Sequence, residues 1–304
     1  VSTNSTGLMG ISPQLTVYHK NLFGGGEWLN VGFNGNFQFR LDDKVHSNEA
    51  GTSVSLSFPK FLGLSYDHFK GASVPRTELN LAFNYQSRPE YTRNMLSASI
   101  GYTGNVNKKF SYLVYPVQLS YVRLFDLNSD FAQKLDRNPF MKYTYQSHCD
   151  LGLGFNLSYT TSADVIPKSS YWTIRFNGDI SGNLISLFKG MLETNDAGEK
   201  VIFGAPYSQY LRAQFSVARA IRFGNEDKQS IAVRLLGGYG FAYCNSTVLP
   251  YEKQFYCGGA SSMRGWQARA LGPGYSKLDE TFSIPSQTGD LKLEADLEYR
   301  FPMF

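Results

Sequence analysis

The sequence predicts an all-β protein, and more narrowly a transmembrane, antiparallel, up-and-down β-barrel. Apolar and polar residues alternate in about twelve separate runs, which is the period of a β-strand. Aromatic residues make up 15% of the 304 residues, whereas charged residues make up 18%, below the usual share for a soluble domain. No stretch of about 18 uncharged apolar residues offers a membrane-spanning helix. This combination suits a sheet with one face in lipid and one in water.

The alternation is clearest in residues 290–301. Its apolar members are Leu291, Leu293, Ala295, Leu297, Tyr299 and Phe301, and its charged members are Lys292, Glu294, Asp296, Glu298 and Arg300. Because successive strand side chains point to opposite faces, one face of this strand is predicted to be apolar and the other charged. Runs 28–41, 78–86 and 150–160 show the same period.

Twelve strands are predicted from these runs. They are 12–20, 27–41, 51–66, 74–88, 92–105, 110–126, 139–147, 149–162, 169–189, 205–222, 229–244 and 290–303. Strands of a soluble sandwich usually have about 5–6 residues, whereas tilted strands of about 9–11 residues span a bilayer. Lipid also requires a closed sheet, because an open edge would leave backbone groups without hydrogen-bond partners. With no linker or low-complexity segment, residues 1–304 are predicted to form one barrel domain.

Charge and residue chemistry exclude several classes of function. The net charge is +4 and the basic residues do not cluster, so nucleic acid is not an expected partner. The four histidines lack metal-ligand spacing, and no cofactor or metal is predicted. Ser147, His148 and Cys149 are adjacent, and adjacent residues of a strand point to opposite faces, so His148 cannot address both neighbours, and no enzymatic activity is expected. Cys244 and Cys257 are either bridged or free.

Residues 244–289, here called the long loop, interrupt the alternation. Loops of this length without structure of their own are usually functional or disordered. The composition of this one argues against disorder. The loop contains the run Gly258–Trp266, and within this run Arg264 is the one charged residue. Spacing alone leaves two interpretations open. Arg264 is either inserted and paired with a carboxylate, or an ordinary exposed loop arginine.

Three motifs resemble those of the BamA/TamA superfamily of outer-membrane proteins. Residues 258–266 (GGASSMRGW) resemble the signature G-G-x-x-S-[VIM]-R-G-[FW]. Residues 19–27 (HKNLFGGGE) are similar to the turn between the first two barrel strands of that family, and residues 297–302 (LEYRFP) to the end of its strand 12. Residues 264–274 and 88–93 are most similar to the TamL-type branch. The resemblance covers nearly the whole chain.

The resemblance implies a sixteen-stranded barrel that follows periplasmic POTRA domains, of which this chain would hold strands 1–12. In such a barrel the long loop is the sixth extracellular loop and folds back into the lumen. Its motif residues are Gly258, Gly259, Arg264, Gly265, Trp266, Gly272, Pro273 and Gly274. The family's loop arginine, here Arg264, pairs with a wall glutamate that corresponds to Glu298. A complete twelve-stranded barrel ending at the aromatic Phe304 is the alternative, although Pro302 fits better as the exit of strand 12.

The function implied by the resemblance is insertion, assembly or translocation of outer-membrane proteins in a Gram-negative bacterium. The first strand pairs weakly with the last, and this lateral gate lets a client strand add to the exposed edge. Residues 12–20 are the predicted gate strand, with Pro13, Leu15, Val17 and His19 along it. The implied partners are unfolded outer-membrane proteins, outer-membrane lipid, and accessory lipoproteins or periplasmic proteins. A passive pore or solute transporter is the alternative.

Overall fold

In a computed structural model, the protein folds mainly into one large antiparallel sheet, and Val201–Ile202 and Ala205–Pro206 form a separate two-stranded sheet. The structure describes residues 2–3, 9–39, 46–63, 74–137, 142, 145–164, 169–224, 228–272, 274 and 287–302. Its strands are β1 (Ser2–Thr3), β2 (Met9–Ile11), β3 (Gln14–Lys20), β4 (Trp28–Phe39), β5 (His46–Phe58), β6 (Arg76–Ser87), β7 (Thr92–Asn105), β8 (Phe110–Phe125), β9 (His148–Thr160), β10 (Tyr171–Ser181), β11 (Val201–Ile202), β12 (Ala205–Pro206), β13 (Tyr210–Phe223), β14 (Gln229–Ala242) and β15 (Leu291–Arg300).

Short helical segments lie between some of these strands. They are the helix α1 (Ser129–Arg137), the single turn α2 (Asn183–Ser186) and a 3₁₀ turn at Lys189–Met191. No helix in the described ranges is long and apolar enough to cross a membrane.

The sheet has twelve positions in the order β1-β2-β4-β5-β6-β7-β8-β9-β10-β13-β14-β15, and β3 also pairs with β4. β2 and β3 are two parts of one interrupted strand, because Ile11 pairs with Phe37 and Gln14 with Asn34 on the same neighbour. The interruption lies at Pro13, which has no amide hydrogen to donate. Its carbonyl still accepts a hydrogen bond of 2.9 Å from the amide of Gly35.

The predicted number of strands is confirmed, but one predicted strand is wrong. In the part of 139–147 that the structure describes, Lys142 is helical and 145–147 are turn and coil. Tyr145 is buried in an aromatic cluster, and the Ser147 hydroxyl accepts a hydrogen bond of 2.9 Å from the amide of Leu124. The strand that makes up the count of twelve is β1, which was not predicted. It lies first in the strand order and pairs with Met9 and Gly10 of β2. Residues 12–20 therefore belong to the second position of the sheet.

The predicted strand 169–189 is too long. β10 ends at Ser181, because Gly182 adopts a φ of 81° and turns the chain into α2. Glycine adopts this left-handed conformation readily, whereas other residues rarely do. The amide of Gly182 donates a hydrogen bond of 2.9 Å to the carbonyl of Leu151.

The two faces of the sheet differ as the alternation predicts. On β15, Leu293 and Leu297 are 75% and 77% exposed on the outer face. On the inner face the side chains of Lys292 and Glu294 are only 12% and 6% exposed, because they contact each other and the long loop. The apolar outer face is the surface expected to meet lipid.

Consecutive antiparallel strands place their connections alternately at two ends of the sheet. The end that carries the long loop, here called the loop end, also holds the connections 88–91, 126–147 and 182–209. The opposite end holds 21–27, 59–75, 106–109, 161–170 and 224–228. Because β1 precedes β2 and β3, the turn at 21–27 separates the second and third positions of the sheet rather than the first and second.

Candidate functional site

The candidate site is the long loop and the inner wall that it contacts. On the wall, Arg234 of β14 lies opposite Asp296 of β15 in the strand register. Arg234 Nε donates a hydrogen bond of 2.8 Å to Asp296 Oδ2, and Arg234 Nη2 pairs with Glu294. Glu294 Oε2 also lies 2.9 Å from Lys292 Nζ. These four residues form a compact ion-pair network that spans the last two strands.

The two serines of the loop motif contact this network directly. Arg234 Nη2 donates a hydrogen bond of 3.0 Å to the carbonyl of Ser261, and the hydroxyl of Ser262 donates to Glu294. Lys292 Nζ lies 3.3 Å from the same hydroxyl. The long loop is therefore held to β14 and β15 by charge-assisted hydrogen bonds, which are stronger than neutral ones.

Arg264 and Glu298, predicted to pair, face each other at a longer distance. Arg264 Nη2 lies 3.8 Å from Glu298 Oε2, and the Arg264 side chain is 75% exposed. Both oxygens of Glu298 accept hydrogen bonds from Arg300, at 2.8 and 3.1 Å. At this distance the two groups attract each other without a hydrogen bond. An open cavity of about 910 Å³ lies between the motif and β15.

Glycines shape the motif into a closed turn. Gly258 and Gly259 have φ values of 92° and 90°, which residues other than glycine rarely adopt. The amide of Gly259 donates a hydrogen bond of 2.8 Å to the carbonyl of Trp266, and the amide of Trp266 donates one of 3.0 Å to Met263. This turn projects Arg264 and Gly265 from its tip.

The remaining predicted motif residues lie beyond this turn. Gly272 and Gly274 also have positive φ, at 81° and 53°. Pro273 falls outside the described residues. Trp266 is half exposed and borders the cavity beside β15.

The base of the long loop packs on two glycines of the inner wall. Leu249 and Phe255 are buried against Gly240 and Gly238 of β14. A Cβ atom at Gly238 would lie 2.6 Å from the Phe255 ring, closer than real Cβ contacts come. The guanidinium of Arg212 lies over the Phe255 ring, 4.3 Å from its centroid. The wall therefore leaves room for the loop where its glycines face inward.

Aromatic side chains fasten the long loop to the neighbouring connections at the loop end. A buried cluster contains Tyr91, Phe131, Leu135, Tyr145 and Tyr251. Tyr251 belongs to the long loop, and its ring centroid lies 5.0 Å from that of Tyr145. Arg269, further along the same loop, places its guanidinium 4.1 Å from the Tyr251 ring.

Glu252 adds an ionic contact beside this cluster. It pairs with Arg93 of β7, and its Oε2 lies 3.4 Å from Nε2 of His148. Burial disfavours the charged carboxylate, but the nearby His148 and Arg93 outweigh burial and lower the pKa of Glu252. The Glu252 side chain is 23% exposed. Nδ1 of His148 lies 3.1 Å from the carbonyl of Gln146, which fixes the ring orientation.

The residues predicted for the gate strand lie along an edge of the described sheet. Leu15, Val17 and His19 of β3 pair with β4 on one side and have no strand on the other within the described residues. Leu15 and Val17 are 62% and 54% exposed. Pro13 forms the break between β2 and β3 described above. The gate residues and the loop motif therefore occupy opposite ends of the strand order.

The sequence interpretation missed Arg234, Glu252 and Arg93. Among the alternating residues 229–244, Arg234 is the one charged residue at an inward-facing position, and this position could have identified it. Its partners depended on strand register, which the alternation does not specify. In the described part of the chain, no group of three metal-ligating residues occurs, and Cys244 and Cys257 are both free.

Comparison with known proteins places this architecture in a family. A profile of the Omp85 superfamily domain matches residues 21–304. Solved structures that resemble the chain include BamA from Haemophilus ducreyi lacking POTRA domains 1–3, with a TM-score of 0.62 and 16% sequence identity. The alignment covers 97% of this chain and 52% of that one, so the chain spans about half the length of this relative. No curated protein gives a significant match. Since the profile covers most of the sequence, the chain belongs to the Omp85 superfamily.

Proposed function

We propose that the protein inserts or assembles other proteins in the outer membrane of a Gram-negative bacterium, or translocates them across it. The observation that carries this proposal is the edge position of β3, which pairs with β4 alone among the described residues, in a sheet of the Omp85 superfamily. An unpaired strand edge presents amide and carbonyl groups on which another strand can form. A client strand that adds there gains backbone hydrogen bonds before it leaves the protein. No covalent chemistry is required.

The proposed gate runs along β3, with Pro13 at its start. Pro13 lacks an amide donor and its carbonyl faces Gly35 of β4, so the pairing of the gate strand with β4 is interrupted at this point. Leu15, Val17 and His19 share the outward parity and would contact either lipid or the client strand. The proposed partners are unfolded outer-membrane proteins and membrane lipid, together with accessory lipoproteins or periplasmic proteins of an assembly complex.

The long loop is proposed to brace the other edge of the same sheet. Arg264 faces Glu298 at a distance that a small movement of the loop would shorten to a hydrogen bond. In the proposed mechanism this pair tightens in one state of the barrel and loosens in another. The glycine turn around Gly258, Gly259 and Gly265 permits that movement without a change in the wall.

Site-specific photocrosslinking in cells tests the gate. A benzoylphenylalanine at Val17 is expected to capture newly made outer-membrane proteins. The matched control is Leu81, which is 51% exposed on the outer face of β6 but has a paired strand on both sides. Equal capture at Val17 and Leu81, or no capture at Val17 while assembly proceeds, contradicts the proposal.

A passive pore is the second candidate, since the inner face is polar. The long loop weighs against it, because Leu249 and Phe255 are buried against the inner wall and occupy space that a channel needs. Planar-bilayer recording distinguishes the two functions. A large, steady, solute-selective conductance that Arg264→Ala leaves unchanged favours the pore, whereas loss of outer-membrane protein biogenesis on depletion favours assembly.

A further inference from the structure

The connection between β10 and β13 carries large apolar side chains that the assembly mechanism does not use. Phe203 is 89% exposed and Met191 is 84% exposed, and the remaining exposed members are Leu184, Leu187 and Phe188. Exposed apolar groups of this size, concentrated in one segment, usually mark a contact with a protein or a membrane.

Phe203 stands at the tip of a two-residue hairpin. β11 and β12 pair through Val201 with Pro206 and Ile202 with Ala205, and the turn consists of Phe203 and Gly204. Both turn residues have positive φ, at 50° and 78°. Such turns favour Asn-Gly, and a bulky aromatic residue at the first position is unfavourable for the backbone. The phenyl ring therefore gives the turn no conformational advantage.

The base of this hairpin is firmly held, so its tip has a defined position. Ala205 and Tyr207 are buried, and the amide of Ser208 donates a hydrogen bond of 2.9 Å to the carbonyl of Cys149 in β9. On the other side, the amide of Lys200 donates one of 2.8 Å to Asn245 Oδ1. A tip fixed in this way presents its side chain without a further ordering cost.

The tip lies over the outer face of the sheet and not over the lumen. The hydroxyl of Tyr121 in β8 donates a hydrogen bond of 3.1 Å to the carbonyl of Phe203. Tyr121 pairs with Leu96 of β7, and Leu96 belongs to the exposed apolar set of the outer face. The exposed ring of Phe203 thus continues the lipid-facing surface at the loop end.

We infer that the β11–β12 hairpin is a membrane-interface anchor, in which Phe203 inserts among the lipid acyl chains beside β8. The exposed residues from Leu184 to Met191 lie in the same connection and are proposed to share this contact with lipid. Lys189 is exposed between Phe188 and Met191, where an ammonium group can meet lipid phosphate. Aromatic rings at the boundary between lipid and water are typical of membrane barrels.

The test uses the intact protein in phosphatidylcholine vesicles, with Phe203→Trp as the probe. The matched control is Ala197→Trp, an exposed turn position of the same connection that follows Asn195 and Asp196. Each variant is compared with the parent protein, so the signal of the three native tryptophans is subtracted. The added Trp at 203 is expected to show blue-shifted emission, quenching by lipids brominated near the headgroup, and little quenching by aqueous acrylamide. The Trp at 197 should show the opposite pattern.

Two results overturn the inference. One is a Trp at 203 that acrylamide quenches as strongly as the Trp at 197. The other is a Trp at 203 that neither acrylamide nor brominated lipid quenches, which would indicate a protein contact instead of lipid. Because Trp replaces another aromatic residue on the same backbone, folding is expected to be retained, and gel mobility of the unheated protein checks it.

Discussion

Replacing Arg234 with methionine is predicted to free the long loop from the inner wall. Methionine keeps much of the side-chain length and removes the charge. It also removes the hydrogen bonds to Asp296 and to the carbonyl of Ser261, and the ion pair with Glu294. Glu294 keeps Lys292 and Ser262 as partners, so it is not left alone in the wall.

The magnitude follows from the contact of Arg234 with the loop, the hydrogen bond to the carbonyl of Ser261, and from the exposure of Arg234, because the ion pairs with Asp296 and Glu294 lie within the wall. Hydrogen bonds to charged groups contribute about 1.5–3 kcal/mol when shielded from water. The side chains of Arg234 and Asp296 are each 35% exposed, so solvent screens part of this energy. A net loss of about 1–3 kcal/mol is expected, which raises the population of the released loop by a factor of about 5–150.

Thiol labelling measures that population with a control inside the chain. Cys257 precedes the motif and is half buried, whereas Cys244 is exposed and serves as the internal reference. The labelling rate of Cys257 relative to Cys244 is expected to rise in Arg234→Met. Arg264→Met should change it far less, because an exposed ion pair contributes about 0–1 kcal/mol. If Arg264→Met releases Cys257 and Arg234→Met does not, the assignment of the wall contact to Arg234 is refuted.

Three further changes test other contacts of the loop and of the turn at 21–27. Gly238→Val should destabilise the folded barrel by about 1–3 kcal/mol, because the added side chain overpacks against Phe255. Gly265→Val, whose side chain would enter open space, is the control and should not destabilise it. Gel mobility measured against temperature reads both effects, and equal effects contradict the packing. The lowered pKa of Glu252 means that its stabilisation is present above the ordinary carboxyl pKa and lost as the pH falls through the lowered value. Glu252→Gln should therefore loosen the loop at neutral pH and flatten the acid dependence of Cys257 labelling, and an unchanged profile contradicts this. Hydrogen bonds from backbone amides, partly opposed by burial, lower the pKa of Glu27. The charged carboxylate therefore stabilises the turn at neutral pH and no longer does so once it is protonated. Glu27→Gln should increase proteolysis of 21–27 at neutral pH and leave it unchanged in acid.

The faces of the strands could be predicted from the sequence, because alternation is a local property. The parity that put Glu298 and Glu294 inside and Leu293 and Leu297 outside needed nothing beyond the spacing of residues. The contacts of the loop could not be predicted in the same way. They depend on strand register, which places Arg234 opposite Asp296, and on which glycines face the lumen. Neither is encoded in a single run.

The errors in strand assignment have the same physical origin. Tyr145 and the residues around it have a strand-like pattern, but the Tyr145 ring is buried against Tyr251, more than a hundred residues later in the chain. β1 was missed because two residues are too short to show a period. It was detectable only through its pairing with Met9 and Gly10. Long-range contacts thus decided both cases against the local pattern.

The contacts of the long loop make the two edges of the described sheet unequal. Ser261 and Ser262 tie the loop to β14 and β15, so β15 is braced both by its neighbour and by the loop. Among the described residues, β3 has one neighbouring strand and a break at Pro13, and it receives no side-chain hydrogen bond from the long loop. Separating a strand costs the free energy of all the contacts it makes, so thermal opening is expected to begin at β3. The proposed gate would therefore move on the β3 side while β15, held by the loop, stays in place.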